Sequence, residues 1–578
     1  MKRAWSDRVF LAVAPAVLGA WIFACVWFPL TDTDIWWHLA AAKLMWARKA
    51  FLRTDPFSLV SLGTPWTDLH WGFQLLAWSI WKSGSAKALV AWKCISLAGA
   101  VGLVLWPHWN RRTAFILLPL AAFGCYQIRF YVDVRPLALT LVLLAGQYAA
   151  LMFHFQGRLR RPEWVVLPLQ IALANIQGLF PLGAVLVSGL ILGELFSGQV
   201  RIGAARNRLL ILGGLVWMAG WVNPYGWAGF KLPLELFARI TPMPGNIFSA
   251  EIAENRPFLD LARQSPGAAI PFACFLLAVI LTCNLSRLRS ACGPLLVFAA
   301  FTILGIMAVR NLPLAFLAGL MAAGRNLHDT FGASGADEGG MMGISNPMGP
   351  RGYPMGYRRW GGLAAFLAVV LVYGPELRRA WDYELPGSME TPFRFPTRGA
   401  DFLAAHPIPG HLFNELRYGG YVEFRLFPEE QAFVDGRMIL RSAAFYRDFL
   451  AAVDHPEAFG PYREWYGITH ALLPISEDRR YLPLAAHLMR EDKWDLLQCD
   501  GAGVVLSAPG TAVTLALPLD SLPHLHPIRV EVRARFHANP RLELLAARNV
   551  AELLSLAGRE RAARDMLSQD PEIDTLNK

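Results

Sequence analysis

The chain has 578 residues, of which 54% are hydrophobic and 17% are charged, an apolar share well above that of typical soluble domains. This composition argues against a soluble protein and indicates a polytopic membrane protein. The formal net charge of +10 would suit nucleic-acid binding, but many basic residues lie in short loops beside apolar runs, as the positive-inside rule predicts. Nucleic acid is therefore not an expected partner.

Apolar runs of membrane-spanning length recur through residues 1–375 and predict about eleven transmembrane helices. The expected helices lie near 9–30, 86–106, 113–128, 136–154, 163–179, 181–197, 208–223, 268–284, 291–309, 311–323 and 360–374. The segment Leu69–Lys82 is apolar but short and rich in tryptophan, so it could either span the bilayer or lie in its interface.

Charge bias separates these two alternatives. If 69–82 lies on the surface and the N-terminus is cytoplasmic, the basic loops after the spans all face the cytoplasm, whereas a spanning 69–82 would put most of them outside. The surface alternative is therefore preferred. It predicts a multi-pass protein of the inner (plasma) membrane with a cytoplasmic N-terminus and an extracytoplasmic C-terminal domain.

Two acids open the first outer loop, in the sequence TDTDIWWH just beyond the first span. Asp32 and Asp34 could supply a general base, a cation ligand or only a helix cap. Two carboxylates are too few to define a metal site, so no cofactor is assigned and a divalent cation stays an open alternative. His38 lies one helical turn beyond Asp34 and is a second-rank candidate to bind substrate or orient the acid, or else a satisfied interfacial residue.

Tryptophans accompany these acids along the same loop. Trp36, Trp37, Trp66 and Trp71 could stack on sugar rings, but tryptophans near a membrane surface more often anchor the protein in the interface. We expect most of them to be interfacial anchors.

Two arginines adjoin later apolar runs and are candidates to bind a phosphate through the planar guanidinium fork. Arg135 precedes the fourth predicted span and Arg310 precedes the tenth. The alternative for each is that it extends to lipid head groups.

Three amides lie in the segments ANIQG and WVNPYG. Asn175, Gln177 and Asn223 suit turns at helix ends and are also candidate hydrogen-bond donors to a ligand. The predicted threading puts these amides, both acids and both arginines on the outer side of the membrane. Polar residues near the hydrocarbon boundary are costly, so their grouping on one face suggests one functional site.

The polar C-terminal part is predicted to form a separate region. The stretch His411–Leu440 alternates apolar and polar residues around YGGY and FVDGR, which predicts short strands with tight turns, and the stretches YREWYGITHALLPI and WDLLQCDGAGVVLSA predict one strand each. Glu423 and Asp435 invite a catalytic interpretation, but VDGR is more simply a strand end and a turn.

The resulting domain organisation has five parts. They are a transmembrane domain (1–324) with a long first outer loop (31–85), a flexible linker (325–359), a last transmembrane helix (360–374), a soluble α/β domain (375–530) and a helical, tetratricopeptide-like tail (531–578).

The first-loop sequence from DTDIWWH to HWGFQLL, together with VRPLALTLVLL, LANIQGLFPLG and VNPYGW, resembles bacterial polytopic proteins related to the GT-C class of glycosyltransferases. The resemblance covers most of residues 1–324. It implies a mainly α fold in which the first outer loop carries the catalytic acid, and donors that are polyprenyl-phosphate sugars. The usual N-x-H-G pattern appears here as NIQG, so Gln177 replaces a histidine and cannot titrate.

Carried onto this chain, the resemblance assigns the loop acid to Asp34, with Asp32 as second choice, and the phosphate-side role to Arg135, with Arg310 weaker. The leading hypothesis is a hexosyl or pentosyl transferase of the cell envelope that moves a sugar from a polyprenyl-phosphate carrier to an extracytoplasmic glycan, lipid or protein. The alternatives are a non-catalytic membrane scaffold or lipid-binding protein, and a transporter of lipid-linked glycans.

Overall fold

The computed structural model describes residues 2–567 apart from 111, 199–202, 242, 244, 285–287, 333–354, 381–388, 478 and 518–521. Within these residues the chain is mainly helical and has one small C-terminal sheet, which confirms the expected fold class. The helices are α1 (Lys2–Val26), α2 (Asp34–Arg48), α3 (Trp71–Leu105), α4 (Ala114–Ile128), α5 (Pro136–Phe155), α6 (Glu163–Ile176), α7 (Phe180–Ser197), α8 (Ala204–Met218), α9 (Trp227–Ile240), α10 (Ile247–Ala250), α11 (Phe258–Gln264), α12 (Pro266–Leu281), α13 (Leu288–Met307), α14 (Leu312–Gly332), α15 (Met355–Ala380), α16 (Thr397–Ala405), α17 (Gly419–Arg425), α18 (Ala443–Asp454), α19 (Phe459–Tyr466), α20 (Leu482–Arg490), α21 (Leu522–Phe536), α22 (Pro540–Leu556) and α23 (Glu560–Leu567).

Many of these helices have the composition of membrane spans. By length and composition, six segments of the described chain could cross a bilayer: Val9–Val26, Trp71–His108, Ala114–Tyr131, Pro136–Phe155, Phe180–Ser197 and Gly361–Arg379. Three shorter apolar helices accompany them, at Glu163–Ile176, Ala269–Leu281 and Ala291–Met307. These helices support a membrane protein, while the count of about eleven spans stays a prediction.

The described chain divides into two compact units. The first contains Met1–Phe28, Leu69–Phe73 and Ala88–Arg379, and we call it the helical unit. Glycines allow α7 and α13 of this unit to pack closely, since a Cβ atom on Gly193 of α7 would lie only 2.2 Å from Gly293 Cα in α13. Small residues at helix contacts are typical of membrane bundles, where close packing replaces the hydrophobic drive.

The second unit contains Pro29–Asp68, Gln74–Lys87 and Ala380–Lys578, and we call it the mixed unit. It joins most of the first outer loop to the polar C-terminal part. Backbone hydrogen bonds connect the two segments: Leu30 N–H donates to Met389 O (2.8 Å), and Leu59 N–H donates to Ala432 O (2.7 Å). The first loop therefore folds as part of the C-terminal unit.

The mixed unit contains a four-stranded sheet in the order β1-β2-β4-β3, formed by β1 (His411–Asn414), β2 (Ile468–Pro474), β3 (Asp495–Cys499) and β4 (Gly503–Ser507). β1 pairs parallel to β2 and the other pairs are antiparallel. The single strand expected from WDLLQCDGAGVVLSA is in fact the two strands β3 and β4. They are separated by a turn in which Asp500 Oδ1 accepts the backbone N–H groups of Ala502 and Gly503, and Gly501 takes a φ of 83°.

The strand prediction around YGGY is wrong. Only His411–Asn414 is a strand, and Gly419–Arg425 is α17, which packs on α2. The glycines serve close approach rather than a turn: a Cβ on Gly420 would lie 3.0 Å from the backbone nitrogen of Trp37. Nor does FVDGR form a strand, because Ala432 makes one isolated bridge to Ser58 and the chain then leaves the sheet.

The segment 69–82 is helical, and most of it lies in the mixed unit. It forms the start of α3, whose backbone leaves helical geometry at Gly84 and Ser85. The Trp81 ring lies 5.5 Å from Trp36 and 5.5 Å from Phe424, measured between centroids. Trp81 thus packs on both the first loop and the C-terminal part, while the surface alternative for 69–82 stays a prediction.

The linker and the tail are the last two parts of the predicted domain organisation to compare with the structure. Of the expected linker 325–359, residues 333–354 lie outside the described part, while α14 extends to Gly332 and α15 begins at Met355. In the tail, α22 and α23 form a helix pair around Gly558, which has a φ of 75°.

Candidate active site

Asp32 and Asp34 have different environments at the start of α2. The Asp32 carboxylate is 2% exposed and accepts the Asp34 backbone N–H at 3.1 Å, whereas Thr33 makes no side-chain capping bond. Asp34 is the first residue of the helix and is half-buried. Asp32 thus has a local structural task that fits the capping alternative, and Asp34 is the more accessible acid.

The Asp34 carboxylate lies against the VDGR loop, at Gly436. An ideal Cβ built on Gly436 would lie 2.3 Å from Asp34 Oδ1, 3.5 Å from Asp34 Cγ and 3.9 Å from Trp37 Nε1. The acid predicted to be catalytic and a loop from the far end of the sequence therefore meet inside one unit.

The neighbouring residue Arg437 is the centre of a buried ion cluster. Its guanidinium donates to Asp55 Oδ1 (2.8 Å), to Glu423 Oε1 (2.8 Å) and to both oxygens of Asp435 (2.8 and 2.7 Å). Ser58 Oγ donates to Asp435 Oδ2 and accepts from Arg437 Nη2 at 3.2 Å. We call these five residues the Arg437 cluster. Asp55 and Ser58 come from the first-loop segment TDPFS (54–58), so the cluster fastens that segment to the VDGR loop.

Three aromatic rings surround the same guanidinium. The Arg437 Cζ atom lies 4.6 Å from the ring centroid of Trp66, 5.4 Å from Phe57 and 6.0 Å from Trp37. The cation is therefore held by ring faces as well as by carboxylates, at distances at which cation–π attraction operates.

Burial and charge shift the pKa values in the Arg437 cluster in opposite directions. Burial alone would raise the pKa of Asp435, but the charge of Arg437 and the hydrogen bonds from Arg437 and Ser58 hold it below its ordinary value. Burial raises the pKa of Glu423 well above its ordinary value, with Asp435 and Asp55 adding to the rise and Arg437 opposing it. One cation faces three acids, and the raised pKa of Glu423 favours the protonated form of that residue.

The expectation that Asp435 marks a strand end and turn is therefore wrong in its structural detail. Asp435 and Glu423 are buried partners of Arg437 rather than solvated turn residues. The signal available in the sequence was the two opposite charges of Asp-Gly-Arg directly after the apolar residues FV. They place charged side chains where burial is expected.

Most loop tryptophans are buried in the mixed unit instead of acting as interfacial anchors. Trp36 is 1% exposed and its ring packs edge-on against Phe395 and Tyr421, while Trp37 and Trp66 are also buried. The anchor prediction is wrong for these three tryptophans because the C-terminal part covers them. The loop sequence alone does not show that this distant part packs on it.

His38 is buried beside Asp34 on α2. Its ring is 2% exposed, lies 3.6 Å from the Trp37 ring centroid, and its Nδ1 is 3.4 Å from Gln74 Nε2. These protein contacts fit the satisfied-residue alternative for His38.

The arginine candidates belong to the helical unit. Arg135 stands directly before α5, and its side chain, 28% exposed, forms an ion pair with Glu254. Arg310 is half-buried in the short 3₁₀ turn Val309–Asn311. A phosphate near Arg135 would compete with Glu254 for the guanidinium.

The three amide candidates, also in the helical unit, have protein partners. Asn175 Oδ1 accepts from Trp71 Nε1 (3.0 Å) while its Nδ2 donates to the carbonyls of Ile171 (2.8 Å) and Val222 (2.7 Å). Gln177 Oε1 accepts from the Thr140 hydroxyl at 2.8 Å.

Asn223 shapes its own turn. Its Oδ1 accepts from Tyr225 N–H (2.8 Å), and its Nδ2 donates to the carbonyls of Gly220 (2.9 Å) and Gly226 (3.3 Å). These bonds fit the helix-end role that the sequence analysis gave as the alternative for all three amides.

The helical unit also contains a buried ion pair that the sequence analysis missed. Lys93 is fully buried within α3, and its Nζ lies 3.2 Å from Asp133 Oδ1 and 3.1 Å from the Phe28 carbonyl. Asp133 also accepts the Val134 N–H at 2.7 Å. The pair fixes the VDVRP segment (132–136) at Asp133, two residues before Arg135. A lysine inside a predicted span was the available signal.

No group of three or more His, Cys, Asp or Glu side chains that could hold a metal ion occurs in the part of the chain that the structure describes.

No protein-family model matches the sequence, and no curated protein matches it. Solved structures do match in fold. The oligosaccharyltransferase AglB of Archaeoglobus fulgidus, in complex with an inhibitory peptide and a dolichol-phosphate, aligns with 92% of this chain and 78% of its own, with a TM-score of 0.52 and 11% identity. The chain has a GT-C-like fold.

Two further matches are AglB tethered to an acceptor peptide containing the NVT sequon and ArnT from Cupriavidus metallidurans bound to undecaprenyl phosphate. The first has a TM-score of 0.53 and 10% identity over 92% of this chain and 78% of AglB. The second has a TM-score of 0.44 and 14% identity over 90% of this chain and 100% of ArnT, so the fold assignment rests on AglB.

Proposed function

We propose that the protein is a membrane glycosyltransferase that moves a sugar from a polyprenyl-phosphate carrier to an extracytoplasmic glycan, lipid or protein. The observation that carries the proposal is Asp34, the more accessible of the two loop acids, held at the start of α2 inside a GT-C-like fold. The AglB structures support the substrate classes, because they contain a dolichol-phosphate and an acceptor peptide.

In this proposal Asp34 is the general base. Its carboxylate takes the proton of an acceptor hydroxyl as that oxygen bonds to the sugar's anomeric carbon, and the bond from that carbon to the phosphate oxygen breaks with its electron pair leaving on the phosphate. Asp32 orients the Asp34 backbone through the 3.1 Å hydrogen bond.

The helical unit supplies the candidates for the donor phosphate. Arg135 is preferred and Arg310 is second, since a guanidinium stabilises the negative charge that develops on the leaving oxygen. His38, Asn175, Gln177 and Asn223 remain weaker candidates, and their protein partners favour a supporting role.

We also propose where the protein is located and how it is oriented. We place it in the inner (plasma) membrane with a cytoplasmic N-terminus and the mixed unit outside, on the basis of charge bias across the predicted loops. A reporter fused after Leu377 is expected to be active outside the cytoplasm, and a cytoplasmic signal would reverse the assignment.

The test of function uses a deletion strain complemented with variants of the chain. Asp34→Asn is expected to abolish the glycan, glycolipid or glycoprotein that disappears from the envelope on deletion, because an amide cannot take the acceptor proton. Mass spectrometry of envelope glycans is the measurement, with protein abundance followed in parallel.

The matched control is Asp448→Asn, an exposed acid on α18 of the same unit, which is expected to leave the product unchanged. Full complementation by Asp34→Asn at normal abundance would remove the enzyme hypothesis and favour a scaffold or transporter.

A further inference from the structure

Gly436 lies unusually close to the Asp34 side chain, although its backbone conformation does not require glycine. An ideal Cβ on Gly436 would lie 2.3 Å from Asp34 Oδ1, well inside the contact distance of real Cβ atoms. Gly436 does not have one of the positive φ angles that favour glycine. The reason for glycine here is therefore the space beside the Asp34 carboxylate and not the local conformation.

The VDGR backbone is held on both sides of Gly436. Arg437 N–H donates to Asp435 Oδ1 at 2.7 Å, and both side chains belong to the buried Arg437 cluster. Met438 N–H then donates to the Gly436 carbonyl at 2.8 Å. The loop cannot move away from α2 without breaking charged hydrogen bonds in a buried site, which is costly.

The start of α2 is also in close contact with α17. A Cβ on Gly420 of α17 would lie 3.0 Å from Trp37 N and 3.3 Å from Thr33 O, so α17 already touches the α2 backbone. The fully buried Trp36 ring packs against Tyr421 at 4.8 Å between centroids. If a side chain were added at position 436, the Asp34 side chain would have to move.

We propose that Gly436 is a positioning residue for Asp34, because its missing side chain leaves the space in which the carboxylate lies in its working rotamer. The proposal rests on the proposed role of Asp34 as general base. It also gives the C-terminal part a task in transfer, since the VDGR loop forms one wall beside the acid. Displacing a catalytic group by about 1 Å costs on the order of 10²-fold in rate.

The test is Gly436→Ala in the purified full-length protein. The donor probe is the lipid fraction extracted from membranes of the deletion strain, and the acceptor is a membrane fraction of the same strain, which lacks the wild-type protein and keeps the acceptor unmodified. We expect the maximal transfer rate to fall by roughly 10²-fold, while the extract concentration that gives the half-maximal rate stays within about twofold. The melting temperature is expected to stay near that of the wild type, because the only close atoms are the end of a flexible side chain.

The matched control is Gly460→Ala in α19, where an added Cβ meets nothing within 4 Å and the φ angle is ordinary. It is expected to change neither rate nor melting temperature. A Gly436→Ala protein with wild-type rate would overturn the positioning role, and so would a rate loss matched by a large fall in melting temperature. If Asp34→Asn retains transfer, the proposed function itself fails, so the two failures are distinguishable.

Discussion

Both units of the molecule contain a buried cation that faces carboxylates, Arg437 in the mixed unit and Lys93 in the helical unit, and these two are held in different ways. In the mixed unit the Arg437 guanidinium makes hydrogen bonds to three acids and faces three aromatic rings. In the helical unit Lys93 has one acid, Asp133, and one backbone carbonyl within hydrogen-bond distance. The first site carries an excess of negative groups and the second is balanced.

The difference follows from the chemistry of the two cations. A guanidinium presents five N–H donors in a planar fork and can serve several carboxylates at once, whereas an ammonium is a compact point charge suited to fewer partners. The Arg437 cluster joins segments that are hundreds of residues apart, the TDPFS segment and the VDGR loop. The Lys93 pair joins α3 to the nearby VDVRP segment. Both cations make tertiary contacts, but Arg437 and Asp55 are 382 positions apart and Lys93 and Asp133 only 40.

The comparison predicts the largest loss of stability for Arg437→Leu. Its removal leaves three buried acids without their cation, and breaking a buried ion pair from one side costs about 3–5 kcal/mol. We expect the melting temperature of the full-length protein in detergent, followed by tryptophan fluorescence, to fall by roughly 10 °C or more.

Arg425→Leu is the control for this loss, because Arg425 forms an exposed ion pair with Asp401 in the same unit. Exposed pairs contribute about 0–1 kcal/mol, so this variant is expected to melt close to the wild type. Equal losses for the two variants would show that the Arg437 cluster is not the junction described here.

A smaller loss, about 3 kcal/mol, is expected for Lys93→Met. Asp133 keeps the hydrogen bond from Val134 N–H, so the remaining carboxylate is not left without any donor. The double variant Lys93→Met with Asp133→Asn is expected to regain part of the melting temperature, because the buried charge is then gone. If the double variant loses the sum of both single losses, the two residues are not coupled.

The smallest effect is expected for Glu423→Gln, and it depends on pH. The folded-state pKa of Glu423 is raised, so its contribution to stability is complete below the ordinary glutamate pKa of 4.5 and is lost as pH rises through the raised value. The glutamine variant has no such loss. Its melting temperature should therefore rise relative to the wild type as pH increases above about 5.

Asp435 does not disturb this measurement. Its pKa is lowered, so its contribution is present above the ordinary aspartate pKa of 3.8 and is lost as pH falls below it. A difference between Glu423→Gln and wild type that is flat between pH 5 and 9 would contradict the assignment of the proton to Glu423.

The sequence was sufficient for features that depend on local composition. Long apolar runs predicted the mainly helical membrane fold, and the stretch YREWYGITHALLPI predicted the strand found at Ile468–Pro474. These signals depend on periodicity and length, which are properties of neighbouring residues.

Features that depend on distant partners were missed. Gly420 suggested a turn, yet it allows close contact between α17 and α2, and the partner lies nearly four hundred residues earlier. The Arg437 cluster was missed for the same reason, because Asp55 and Arg437 are separated by 382 positions. One sequence without its fold does not say which distant charges will share a buried site.

The most direct measurement of the central claim is the single-turnover transfer rate of purified Asp34→Asn, with Asp32→Asn beside it. The donor is the lipid extract of the deletion strain, and the acceptor is a membrane fraction of the same strain, which lacks the wild-type protein and keeps the acceptor unmodified. We predict that Asp34→Asn lowers the rate by about 10²–10⁴-fold, the usual contribution of a general base, and that Asp32→Asn lowers it less. A transfer rate for Asp34→Asn within a few-fold of the wild type would contradict the account.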